Sequence, residues 1–250
     1  MSRRPFLTAR WERLVLLNYE ADPALLHPRV PAGTELDVWQ GRCLISLVGF
    51  MFLDTRLLGV PIPGHRNFEE VNLRFYVRRR GDDGAWKRAV VFVRELVPRW
   101  AIAALARRLY NEPYLAVPMS HEIRVTPETG GSALYGWRYA GASFELGVEA
   151  HGPAQPLVPG SEAEFITEHY WGYTRQRDGG TLEYQVEHPP WNLWTADRAR
   201  FSGPGELLYG PDFGPILAGP PVSAFLAVGS PIAVHQGVRL ALASERSHGA

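Results

Sequence analysis

The stretch Phe68–Arg78, F-E-E-V-N-L-R-F-Y-V-R, alternates strictly: Val71, Leu73, Phe75 and Val77 fall on one side, Glu70, Asn72, Arg74, Tyr76 and Arg78 on the other. Alternation of this length specifies a β-strand with one apolar face. The opposite face carries a carboxylate, an amide and a guanidinium, with next-but-one residues about 6.6–7 Å apart. That face reads either as a solvent-facing edge or as the wall of a pocket.

The chain of 250 residues is long enough for one large domain or two small ones. At this size roughly 70–75% of the unfolded surface can be buried without a covalent staple. Basic and acidic residues balance at 26 each. A formal net charge of zero gives no general attraction to nucleic acid or to an anionic membrane. Only Lys87 among the basic residues is a lysine, so almost no amine is available for imine chemistry. The single cysteine, Cys43, excludes an internal disulfide and a thiolate metal cluster. Its apolar setting, C-L-I-S-L-V-G-F, suits a buried inert thiol. The N-terminal M-S-R-R-P-F lacks a following apolar region, and no run reaches the length of a membrane span. A cytoplasmic protein is expected, with no nucleic-acid or membrane partner.

Further strands are expected at Leu14–Tyr19, Glu35–Trp39 and Arg42–Leu53. Asp22-Pro23 opens a short helix, with Asp22 as N-cap. Gly81-Asp82-Asp83-Gly84 is a hairpin turn leading into a partner strand, Ala85–Leu96. Pro98–Tyr110 carries Ile102, Leu105 and Leu109 at helical spacing. Strands follow at Ser120–Thr126, Ala133–Tyr139 and Ser143–Glu149. Ser161 and Glu164 form a capping box for a helix to about His169. Tyr170–Arg177 and Leu182–His188 form a hairpin, and Val222–Val228 and Ile232–Val234 are weaker strands. Roughly ten strands and three short helices, without regular βαβ alternation, predict an α+β, mostly β fold, an antiparallel barrel or sandwich. A single domain spanning residues 1–250 is expected.

Familiar catalytic signatures are missing. There is no P-loop, no dinucleotide fingerprint, no H-E-x-x-H and no G-x-S-x-G. The eight histidines are dispersed, and although His169 and His188 lie on neighbouring elements, paired or capping roles suit them better than zinc. No metal and no cofactor are expected. Tyr170, Trp171, Tyr173, Tyr184, Trp191 and Trp194 read as an aromatic core or pocket lining rather than a platform for bases.

The motifs R-P-F-L-T-A-R-W, D-P-A-L-L-H-P-R-V-P, S-L-V-G-F, N-F-E-E-V-N-L-R-F-Y-V, L-Y-N-E-P-Y, F-I-T-E-H-Y and V-E-H-P-P-W-N-L occur in this order, from about Arg4 onward. In these motifs the chain resembles the YqjF-like family of uncharacterised bacterial proteins, which is similar to acetoacetate decarboxylase. The resemblance implies a cone-shaped antiparallel β-barrel with a closed pocket. It also places Glu70, in F-E-E, at the position of an active-site glutamate. Arg107–Pro113 matches an R-x-L-x-x-x-P segment that in the enzyme precedes its Schiff-base lysine, but the next residue here is Tyr114. The fold carries over and the imine mechanism does not. The enzyme's N-terminal active-site arginine has no secure match, though Arg10 and Arg13 lie nearby.

Glu70 and Tyr114 are therefore the candidate catalytic residues, with Asn72, Arg74, Arg10 and Arg13 as candidate ligand contacts. A small-molecule ligand is the expected partner, with a homo-oligomer left open. Two functions follow: a protein that binds a small carbonyl or carboxylate molecule in the barrel, or a lysine-independent enzyme of lyase or hydrolase type using Glu70 as acid or base. A filled barrel with a structural or partner-binding role is the third reading.

Overall fold

A computed structural model of the chain describes residues 4–98 and 111–240. The helix expected over Pro98–Tyr110 falls on residues 99–110, outside the described residues. In chain order the strands are β1 Leu7–Glu20, β2 Glu35–Leu36, β3 Leu44–Leu57, β4 Val60–Pro61, β5 Phe68–Arg80 and β6 Trp86–Val97. Then come β7 Tyr114–Ala116, β8 Met119–Thr126, β9 Gly130–Tyr139, β10 Ala142–His151, β11 Trp171–Arg175 and β12 Thr181–Glu187. The last are β13 Leu193–Thr195, β14 Arg198–Ser202, β15 Ser223–Val234 and β16 Val238–Arg239.

The long strands close on themselves. Neighbours run β15-β1-β3-β5-β6-β11-β12, and β12 returns to β15 through Val186 opposite Val234. The result is a barrel-like ring in a mostly β protein. Every contact around it is antiparallel except β6 with β11, which meet in parallel at only Ala89–Trp171 and Val90–Gly172. Further along the same edge of β6, β7 also pairs in parallel, Glu95 with Tyr114 through Val97 with Ala116. A second, four-stranded antiparallel sheet, β14-β10-β9-β8, lies outside the ring.

The alternation of β5 explains both layers. Val71, Leu73, Phe75 and Val77 face outward into the larger core cluster, where they join Tyr135, Trp137 and Phe144 of the second sheet and Phe213 of the Gly205–Ala218 helix. Glu70, Asn72, Arg74 and Tyr76 share the other face, toward the ring interior, where Tyr76 belongs to a second core cluster with Leu16, Val48, Phe50, Phe52 and Phe68 and meets the Phe165 ring at 5.3 Å. Close approach of the second sheet requires a glycine at 49, because a Cβ there would lie 2.8 Å from the Tyr135 ring.

Local signals act where expected. Asp22 caps its helix by accepting from Ala24 N at 2.8 Å, and Ser161 accepts from Glu164 N at 3.2 Å. The Gly205–Ala218 helix is absent from the sequence reading. It carries Pro211 and Pro215, and Gly210 breaks it with a φ of 76°, so helical periodicity is interrupted twice. The two weak strands expected near the C-terminus are one strand, β15. No described helix is long and apolar enough to cross a membrane.

Candidate functional site

The ring encloses a cavity of about 170 Å³. Its walls are largely aromatic: Trp11, Phe52, Phe68 and Phe92 contribute, and Phe52 and Phe68 stack with centroids 4.7 Å apart. The polar groups gather on the side built by β5, β6, β7 and β12.

Glu70 and Arg74 reach this cavity because β5 turns its even-numbered side chains inward. Glu70 is buried, and Asn72 Nδ2 donates to its Oε1 at 3.0 Å. Tyr114, at the start of β7, donates its phenol hydrogen to Glu70 Oε2 at 3.1 Å. Arg74 donates to the Ile166 carbonyl at 3.3 Å, while its Nε is enclosed without a partner. The four residues Glu70, Asn72, Arg74 and Tyr114 are thus brought together, Asn72 through its bond to Glu70.

Arg10 and Arg13 are not brought there. Trp11 points into the cavity, so alternation sends Arg10 outward, where it bonds Glu12 Oε1 at 2.6 Å. Arg13 occupies an irregularity in the β1–β3 register, with a φ of 56°, and pairs with the other oxygen of Glu12. Both guanidiniums are at least a third exposed.

Two further carboxyls stand beside Glu70. Glu95 lies directly across from Asn72 on β6 and across from Tyr114 on β7. It faces inward because of a bulge: Leu73 pairs with Arg94, but Arg74 pairs with Phe92, leaving Val93 as the extra residue. The bulge reverses the parity of β6, so both Phe92 and Glu95 line the cavity while Arg94 turns out. Glu112 enters from the loop before β7, where Asn111 adopts a φ of 57° that asparagine tolerates better than most residues. The Thr174 hydroxyl and the Tyr184 phenol, at 2.9 Å, both donate to Glu112 Oε1. Tyr184 can lie across the interior because the residue opposite it is Gly172; a Cβ there would sit 2.1 Å from the Tyr184 ring.

Three buried carboxyls and one guanidinium share this enclosure. Burial pushes the Glu70 carboxyl up to about 7, against the opposing effects of Asn72, Tyr114 and the Arg74 charge. Burial likewise raises Glu112 to about 7, offset by Thr174 and Tyr184. Glu95 is raised well above the usual carboxylate range by burial and then by its neighbours Glu112 and Glu70. Its Oε2 receives no hydrogen bond from an N–H or O–H donor; protonated, it can instead donate to Glu112. At neutral pH the cluster therefore holds protons, and one enclosure offers both acid and base.

His169 also lines the cavity. Its Nε2 is 3.5 Å from Asp37, a longer contact than a hydrogen bond of normal length. Burial pushes its imidazolium down to about 4, leaving a neutral ring. His188 stacks instead on Trp191 at 4.3 Å. Among the described residues no three His, Cys, Asp or Glu side chains are grouped to hold a metal ion. Lys87 stands on the outer side of the ring, 2.7 Å from Glu183 and over the Trp171 ring.

Comparison with known proteins places this geometry in context. The family model DUF2071, described as an uncharacterized conserved protein, matches residues 8–230. The uncharacterized protein YqjF of Bacillus subtilis is 29% identical over 195 residues, covering 75% of this chain and 74% of that protein. The crystal structure of acetoacetate decarboxylase from Legionella pneumophila superposes with a TM-score of 0.64 at 15% identity, covering 95% of this chain and 87% of that one. A structure of the enduracididine biosynthesis enzyme MppR complexed with pyruvate gives a TM-score of 0.66 at 14% identity, covering 95% and 91%. The shared architecture is that of the acetoacetate decarboxylase-like fold.

Proposed function

The chain belongs to the DUF2071 family of uncharacterised conserved proteins, and on that premise we propose that its ring cavity binds a small carbonyl or carboxylate compound. The observation that carries this reading is Glu70 itself. It is a buried carboxyl on the cavity wall, near neutrality in pKa, hydrogen-bonded by Tyr114 and Asn72 and within the field of Arg74. Aromatic walls suit the carbon skeleton of the ligand, and Arg74, with an unanswered Nε–H, suits its oxygen. The pyruvate held by the similarly folded MppR is a molecule of this class. Native mass spectrometry of freshly purified protein tests the reading, followed by thermal melts with the released compound. Glu70→Gln should weaken that compound's binding at least tenfold without lowering the melting temperature of the free protein. A cavity that releases nothing and gains no stability from small oxo compounds would overturn it.

A second reading rests on the matched pKa values of Glu70 and Glu112, both about 7. General acid–base catalysis works best with groups near the working pH. Glu70 as carboxylate would take a proton from the carbon beside the ligand's carbonyl. The C–H electron pair would pass to the carbonyl oxygen, stabilised by Arg74 or by a proton from the cluster. No amine takes part. Exchange of those ligand hydrogens in deuterium oxide, followed by NMR, separates an enzyme from a carrier: protein-dependent exchange lost in Glu70→Gln supports catalysis.

A further inference from the structure

The carboxyls and the guanidinium that line the ring cavity, Glu70, Arg74, Glu95 and Glu112, come from β5, β6 and the loop before β7. Four strands line the same cavity with a different surface. Leu57 of β3 stands opposite Leu7 of β1, Leu7 opposite Val234 of β15, and Val234 opposite Val186 of β12. Each of these residues lines the cavity, so together they form one unbroken apolar row across adjacent strands.

The register also orders the cavity from end to end. Along β3 the sequence is Leu57, then Phe52, then Phe50, which stands opposite Glu70. Phe52 is paired with Trp11 on one side and with Phe68 on the other, so an aromatic row separates the apolar row from Glu70. On β1, Leu7 and Trp11 are two inward steps apart, about 13–14 Å along an extended strand. Leu7, Leu57, Val186 and Val234 keep part of their surface accessible, whereas Glu70, Glu95 and Glu112 are buried. The cavity is thus graded, from accessible hydrocarbon at one end to enclosed polar groups at the other.

Wet apolar surface inside a cavity is unfavourable, and covering it is the main source of affinity for an apolar group. A compound the size of pyruvate answers the polar end alone and leaves the apolar row in water. We propose that the compound held in the cavity is an amphiphilic oxo acid: its oxygens meet Glu70 and Arg74, and an aryl or medium-length unbranched alkyl tail runs past Phe52 to the row formed by Leu57, Leu7, Val234 and Val186. This inference rests on the binding role proposed for the cavity and narrows its ligand to a class with a tail.

Isothermal titration calorimetry with a homologous series tests it: pyruvate, α-oxobutyrate, α-oxohexanoate, α-oxooctanoate and phenylpyruvate. Each added methylene should tighten Kd about threefold to fourfold until the tail reaches the row, and phenylpyruvate should bind roughly tenfold or more tighter than pyruvate. Leu57→Asn, which keeps the side-chain size and removes its apolar character, should flatten the series. Should that variant fail to fold, Val186→Thr and Val234→Thr are read by the same criterion. Arg74→Met should weaken every member by a similar factor and leave the dependence on length intact. Octanol, which has the tail without the acid, should bind far more weakly than α-oxooctanoate; equal binding would overturn the assignment of the head. Binding of pyruvate with no gain from a longer tail would overturn the inference and leave the cavity's binding role standing. Binding by no member of the series would remove both.

Discussion

The phenol of Tyr114 donates to Glu70 across 3.1 Å, although 44 positions separate the two in sequence. This bond favours the ionised carboxylate and holds the Glu70 pKa below where burial alone would leave it. Tyr114→Phe should therefore move Glu70 upward. A hydrogen bond to a charged group contributes about 1.5–3 kcal/mol, which corresponds to about 1–2 pH units. NMR of protein labelled at the glutamate side-chain carboxyls reads the midpoint directly. An unchanged midpoint would mean that the bond does not tune Glu70.

Stability should fall as pH rises from about 4.5 to about 7. The folded pKa values of Glu70 and Glu112 lie at about 7, above the reference of 4.5. In that window the folded state binds more protons than the unfolded state, so raising pH favours unfolding. Glu95 acts in the same direction. His169 opposes them, because its folded pKa of about 4 lies below 6.5, so stability contributed by its neutral ring grows as pH rises between those values. His188, also lowered by burial, adds to that opposition, while Glu168, raised by burial, joins Glu70, Glu95 and Glu112, so four raised carboxyls face two lowered histidines and the net slope is downward. Denaturant midpoints between pH 4.5 and 7.5 should show the decline, and Glu112→Gln should flatten it.

Gly172→Ala should displace Tyr184. The new methyl would meet the Tyr184 ring at 2.1 Å, far inside contact distance. Overpacking of this kind costs about 1–3 kcal/mol, and Glu112 would lose a donor besides. Combining Gly172→Ala with Tyr184→Ala should cost less than the sum of the single changes. Additive losses in denaturant melts would show that Tyr184 relaxes without strain.

No imine should form with an oxo acid. Position 114 is tyrosine, and Lys87, the one lysine of the chain, is engaged by Glu183 outside the ring. Borohydride added in the presence of pyruvate or acetoacetate should leave the intact mass unchanged. A reduced adduct mapped to Lys87 would refute this.

The legible part of the site is the part governed by local periodicity. Alternation in β5 places Glu70, Asn72 and Arg74 on one face, and that face proves to be the inside of a ring rather than a solvated edge. The resemblance brought Tyr114 to the same place across a long sequence gap. Glu95 escaped notice because one extra residue, Val93, reverses the facing of β6, and no propensity marks such a bulge. Glu112 sat within L-Y-N-E-P-Y, where a charged residue before proline reads as a helix end. Tyr184 was visible only as one aromatic among several; the signal that could have found it was Gly172, ten residues after the capping-box helix opens and opposite it in the hairpin. Arg10 and Arg13 were drawn in by position, and the pairing of both with Glu12 depends on a register irregularity that sequence does not display.

Seven strands make up the closed ring, and seven is odd. Strands that alternate direction cannot return to their starting point after an odd number of steps, so such a ring must contain a mismatch. Here the mismatch is the seam between β6 and β11, held by two residue pairs. Because that seam is short, the rest of the β6 edge stays open to β7 and to the loop ahead of it. Beside this seam the chain delivers Glu112 and Tyr114 to the ring interior. The ring's arithmetic thus creates a weak line in its wall, and the polar cluster is assembled along that line.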